Sequence, residues 1–227
     1  MNKNSKKIEV AVFGATGLIG SILVKYLKQF SKFKKINLVL RSPIDIKDEN
    51  VKIHKINLFK KSEILNSVNT SKVVFIAIGT TMSKVKGDKE KYRRIDFGIT
   101  KDIADACKEF GIDKLILVSS SGANLKSKSF YLSLKGSIEK YVTDLNLKSV
   151  SILRPSLLLG KRNEKRFVEK LAQIIMPKIS FFMPSKYKPI KAEKVARAML
   201  QLSNTDSKGV KIFHYKDIID LSNKFKI

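Results

Sequence analysis

The chain has 227 residues, 43% apolar and 29% charged, which suits one globular domain with room for a substantial core and excludes two full domains. A single cysteine, Cys107, excludes an intramolecular disulfide framework; His54 and His214 are isolated, so no metal site is expected; and no apolar run reaches the roughly 20 residues of a membrane span. The formal net charge of +26 comes from lysines scattered over nearly every segment without a nucleic-acid motif, so we expect weak, salt-sensitive adhesion to polyanions and no specific nucleic-acid partner.

At the N-terminus "MNKNSKK" is charged, but the following "IEVAVFGATG" soon contains an acid and reads as strand and turn rather than as a secretory leader. A cytoplasmic location is the expectation. From there short apolar strands alternate with helical patterns. "IEVAVFG" (8–14) is a buried strand, "GLIGSILVKYLKQF" (17–30) an amphipathic helix and "INLVLRS" (36–42) the second strand. "VKIHKINL" (51–58) follows as a strand, "KKSEILNSV" (60–68) as a helix and "KVVFIAIGTT" (72–81) as a strongly apolar fourth strand. After a polar loop, 92–112 makes one long helix that stops at Gly111. "KLILVSSSG" (114–122) is the fifth strand, 129–145 the next helix, and "KSVSILRPSLLLG" (148–160) a sixth strand ended by Pro155.

This alternation predicts a single α/β domain, a Rossmann-like doubly wound parallel sheet with helices on both faces, whose ligand lies at the carboxyl ends of the strands where the winding reverses. Residues 161–227, with helical stretches at 166–176 and 192–202 around the proline-punctuated "MPKISFFMPSKYKPI", are expected to form a small C-terminal substrate cap.

Gly14, Gly17 and Gly20 in "VFGATGLIG" form a G-x-x-G-x-x-G turn between the first strand and first helix. In that context the glycines let the backbone approach a pyrophosphate, which the helix N-terminus favours. Gly14, Ala15, Thr16, Gly17, Leu18, Ile19 and Gly20 are therefore candidate cofactor contacts. The second strand ends in Arg41, where an NAD enzyme tends to carry an acid for the ribose 2′-hydroxyl. A guanidinium fits a 2′-phosphate, so NADP(H) is preferred, with NAD(H) as the alternative. Asn57 and Leu58 end the third strand and Gly79, Thr80 and Thr81 the fourth, as further candidate neighbours of adenine and ribose.

Of the 46 basic residues only seven are arginine. A chain so rich in lysine should show about one Tyr-x-x-x-Lys pair by chance. It has two, Tyr131/Lys135 and Tyr187/Lys191, and Pro189 prevents the second pair from sharing one helix. In a helix over 129–145, Tyr131, Leu134, Ile138, Val142 and Leu145 form one stripe with Lys135 among them. An inward lysine demands a partner or a use. The fifth strand supplies Ser119, Ser120 and Ser121 just upstream. Tyr, Lys and Ser together suit carbonyl reduction, with the phenol as general acid/base beside an ammonium and a serine hydroxyl polarising the carbonyl.

On these residues the chain resembles the short-chain dehydrogenase/reductase superfamily in its extended and atypical branch. The stretch "YRRIDFGITKDIADACKEFGIDKLILVSSSGA", with "FYLSLKGSIEKYV" and "SILRPSLLLG", is similar in particular to the NADPH-binding Tat-interacting-protein-like oxidoreductases. The resemblance covers roughly residues 8 to 200. It implies that the glycine turn holds the pyrophosphate, Arg41 the 2′-phosphate, Tyr131 and Lys135 the catalytic pair, and either Ser120 or Ser121 the catalytic serine. Ser119, Pro155 and Ser156 would lie near the cofactor, and Asn57 departs from the Asp that many relatives carry. The implied activity is hydride transfer between NADPH and a small-molecule carbonyl or alcohol, or the same step on a sugar nucleotide. The alternative is a non-catalytic NADPH sensor with a protein partner.

Overall fold

The computed structural model describes residues 8–160 and 188–225. Strand β1 (Ile8–Phe13) leads through the glycine turn into α1 (Leu18–Lys28), then β2 (Phe33–Leu40), β3 (Val51–Lys55), α2 (Lys61–Val68) and β4 (Val73–Ile76). Next come α3 (Lys89–Arg93), a π-helical turn (Arg94–Gly98), α4 (Ile99–Glu109), β5 (Lys114–Val118), α5 (Phe130–Asp144) and β6 (Ser149–Leu153). The short β7 (Leu158–Leu159) and β8 (Ile190–Lys191) pair with each other; α6 (Ala192–Asn204), β9 (Gly209–Phe213) and α7 (Tyr215–Lys224) complete the described chain.

The main sheet runs β3-β2-β1-β4-β5-β6-β9, parallel throughout. Winding reverses between β1 and β4, which places a ligand crevice above the carboxyl ends of those strands. The central strands are covered on both faces, so Val10–Phe13 of β1 and Val73–Ile76 of β4 are apolar and buried throughout, and successive residues serve opposite layers. Val10 and Val12 pack with α1, α6 and α7, while Ala11 and Phe13 pack with α2, α4 and α5. The α/β doubly wound architecture read from the sequence is the one found.

Residues 161–187 of the expected cap lie outside the described residues, and 188–225 pack on the sheet and extend it. Helix α6 buries Ala192, Val195, Ala196, Ala198, Met199 and Leu200 against the α1 side of the sheet. Its Glu193 accepts the Tyr26 hydroxyl of α1 at 2.9 Å. Strand β9 extends the sheet to seven strands where six were expected. "GVKIF" escapes a reading based on apolar runs because it lies at the sheet edge, with Lys211 and Ile212 exposed. The helix expected at 166–176 and Tyr187 lie outside the described residues.

The helix expected at 92–112 is divided. At Arg94–Gly98 it widens to a π-turn, which inserts one residue into the helical count. The fourth strand ends at Ile76, five residues earlier than expected, so 77–81 run as a loop over the sheet edge.

Candidate active site

The glycine turn is shaped by close approach. Gly14 has φ +84°, and a Cβ there would lie 2.5 Å from the Ala77 carbonyl oxygen at the end of β4. A Cβ on Gly20 would collide with the Gly14 carbonyl oxygen, so only glycine lets α1 descend onto the turn. Gly17 is the N-cap of α1; no side chain caps it and the first turn carries no acid. The arrangement is a cradle open to an anionic group at a helix N-terminus, at the point where the winding reverses, and it fits a dinucleotide pyrophosphate.

Beside it, Arg41, Lys55, Ile56, Asn57, Leu58 and Phe59 line a cleft of about 380 Å³. Asn57 is committed to the local turn: its side-chain oxygen accepts the Phe59 N–H at 3.0 Å, and its own N–H donates to Glu63 at 2.8 Å. That bond holds the Glu63 carboxyl below its usual range. The Arg94 guanidinium lies over the Phe59 ring, 4.4 Å from its centroid.

At the other end of the crevice, Lys135 is buried, 6% exposed. Its ammonium is 3.0 Å from Asp96 Oδ2, and the Asp96 carboxylate is 1% exposed. Asp96 Oδ1 accepts the Thr80 N–H at 2.8 Å, and the Tyr92 hydroxyl donates to the Thr80 carbonyl at 3.0 Å. The loop after β4 is thus tied to α5 through the π-turn. Burial, followed by the charges of Asp96 and Tyr131, pushes the Tyr92 phenol well up. The Thr80 amide, expected near the ribose, donates to Asp96. Gly79 has open space around its Cα, and Thr81 Oγ1 accepts the Lys84 N–H at 3.3 Å.

Tyr131 departs from the stripe on which it was expected. Leu134, Ile138 and Val142 are buried, but Tyr131 is 39% exposed, with Lys135 Nζ 5.9 Å from its ring centroid. One turn apart on α5, Lys135 is covered and Tyr131 is open. Gly136 lets the Asn124–Leu125 backbone lie directly on the helix, since a Cβ there would meet that backbone.

Ser119 is buried and donates to the Glu139 carboxylate, which Arg154 also holds through Nε at 3.0 and 3.1 Å. Ser120 Oγ donates to the Ser121 carbonyl at 3.3 Å, and the Ser121 N–H donates to the Pro155 carbonyl at 2.8 Å. The Ser156 hydroxyl donates to the Lys188 carbonyl, fastening the β6 exit to the start of β8. Cys107 is fully buried, and that burial pushes its thiol up, away from any nucleophilic role. Among the described residues no group of acids, cysteines or histidines could hold a metal ion, and no helix is long and apolar enough to cross a membrane.

Sequence reasoning missed Asp96, Tyr92, Glu139, Arg154 and Lys55. One signal existed: an inward lysine needs a partner. Glu139, four residues on along the same helix, is held by Arg154, and the partner of Lys135 comes from the π-turn instead.

A family model described as NAD(P)H-binding matches residues 14–206. The chain is 34% identical over 199 residues to "Protein FMP52, mitochondrial" of Debaryomyces hansenii, covering 85% of this chain and 86% of that protein. It is 32% identical over 220 residues to the Saccharomyces cerevisiae protein of the same name, covering 93% and 95%. In fold it is similar to the UDP-N-acetylglucosamine 4-epimerase from Methanobrevibacter ruminantium M1 in complex with UDP-N-acetylmuramic acid, with TM-score 0.71, 21% identity, and 92% and 77% of the two chains covered. It is also similar to the Bordetella bronchiseptica enzyme WbmH in complex with NAD+, with TM-score 0.72, 14% identity, and 95% and 79% covered. The names of the curated relatives overturn the cytoplasmic expectation and point to mitochondria. The N-terminal reading had weighed only a secretory leader, which bears on export and not on import into an organelle.

Proposed function

The chain belongs to the NAD(P)H-binding family, and from that premise we propose that it is an NADPH-dependent oxidoreductase of the short-chain dehydrogenase type. When bound, the nicotinamide gives or takes a hydride. Tyr131 is the acid/base that moves a proton to or from the substrate oxygen, Ser120 or Ser121 orients that oxygen, and Lys135 holds the ribose and sets the field at the phenol. The carrying observation is the split character of α5, which offers an exposed tyrosine one turn before a lysine fixed in a buried ion pair at the rim of the crevice. Carbonyls and alcohols are the substrate class, with sugar nucleotides included through the epimerase neighbours. Turnover of a carbonyl panel with NADPH, lost in Tyr131→Phe while NADPH affinity is retained, tests the assignment. Full turnover in that variant overturns it.

One observation favours a second reading, a non-catalytic NADPH sensor that engages a protein partner: the Lys135 charge is already answered by Asp96. That reading expects NADPH binding without turnover of any panel member and partner capture that depends on cofactor. For location we propose a mitochondrial setting, tested by fractionation of cells carrying the tagged chain.

A further inference from the structure

We infer that Lys55 is a specificity-determining residue that shares with Arg41 the recognition of a phosphate on the adenosine ribose, an inference that rests on the NADP(H) reading above. The two cations reach the same cleft from neighbouring strands. In the parallel register Leu40 stands beside Lys55, and the Ile56 N–H continues the ladder to the Leu40 carbonyl at 2.9 Å. Arg41 follows Leu40 directly, one step beyond the Leu40–Lys55 pair, so the two cations stand diagonally at the carboxyl ends of adjacent strands and line the same cleft.

The lining has two chemical halves. Ile56, Leu58 and Phe59 give an apolar wall of the kind that takes the flat face of a base, and Arg41 and Lys55 give a cationic rim with no acid in the lining. The nearest carboxylate on that loop, Glu63, is occupied by the Asn57 N–H and by Lys60. Among the described residues neither Arg41 nor Lys55 meets a carboxylate. A dianion held in a cleft that both cations line offsets their mutual repulsion and can take charge-assisted hydrogen bonds from each. Frequency cannot single out one lysine in a chain with so many; the strand register and the cleft do.

A ribose phosphate could be carried at the 2′ position, as in NADP(H), or at the 3′ position of another nucleotide. Calorimetric titration of the full chain with adenosine 2′,5′-bisphosphate, adenosine 3′,5′-bisphosphate and 5′-AMP separates these sources. The wild type should bind the 2′,5′-bisphosphate about tenfold more tightly than 5′-AMP. Lys55→Ala and Arg41→Ala should each remove most of that margin while leaving 5′-AMP affinity within about twofold, and Lys55→Arg should keep it. Lys55 is on the surface, so its variants should fold. A margin that Arg41→Ala abolishes and Lys55→Ala leaves intact overturns the role of Lys55 and spares the NADP(H) reading. A wild type without a margin, or one tighter for the 3′,5′-bisphosphate, overturns both.

Discussion

The two ends of the crevice handle charge in opposite ways. At the Arg41 end, cations stand at the surface around an apolar wall, and their partner is left to a ligand. At the Lys135 end, the buried carboxylates are answered within the fold: Asp96 by Lys135 and Glu139 by Arg154. The open end can release binding energy when an anion arrives. The closed end spends its electrostatics on geometry, because a buried ion pair is worth little net stability but penalises any displacement of either member.

The sharpest way to break this contrast is to remove one member of the closed pair. Lys135→Met leaves Asp96 buried and unanswered, and should destabilise the fold by about 3–5 kcal/mol in urea unfolding. Adding Asp96→Asn should restore most of that loss, since both polar charges are then gone. A single variant as stable as wild type would show the end is not closed.

Gly20→Ala probes the cradle between the two ends. The added methyl meets the Gly14 carbonyl, so overpacking of about 1–3 kcal/mol is expected, with a loss of dinucleotide affinity that calorimetry would register. At the open end Arg41→Ala should cost about 1.4 kcal/mol of NADPH binding, a tenfold change. Its melting temperature should hardly move, because no described carboxylate depends on it.

The smallest effect concerns His54 on β3, whose ring lies 2.9 Å from the Asn37 side-chain oxygen. Burial, then Lys52 and Lys35, lower its pKa in the folded state. The unfolded chain therefore takes up this proton first. The stability His54 contributes is complete above the ordinary histidine value near 6.5 and declines as pH falls through it toward the folded pKa. His54→Gln should flatten that part of the stability profile in urea titrations at successive pH values.

How far the sequence carried depends on the range of each interaction. The sheet, the glycine turn and the exit of β2 at Arg41 were legible because each rests on local pattern: apolar runs, glycine spacing and one residue at a strand end. The paired β7 and β8 and the edge strand β9 were not, since their pairing comes from distant chain. Lys135 could be recognised as an inward lysine, but its partner could not, because Asp96 reaches it from another helix. Ser119 shows the same limit, as only the fold reveals its hydroxyl bound to Glu139. Tyr131 was placed on the right helix but with the wrong surroundings, since periodicity says nothing about what covers each turn of a helix.

The π-turn at Arg94–Gly98 makes the closed end sensitive to chain length as well as to chemistry. A π-turn accommodates one residue more than an α-helix, and each residue of a regular helix advances about 100° around the axis. Deleting one residue from 94–98 would let α3 and α4 fuse into an unbroken helix whose flanking turns keep their present faces, because the π-turn spends its extra residue within the same rotation. What such a deletion changes is the turn itself, from which Asp96 reaches Lys135 and Arg94 lies over Phe59. One extra residue of chain thus serves both ends of the crevice at once.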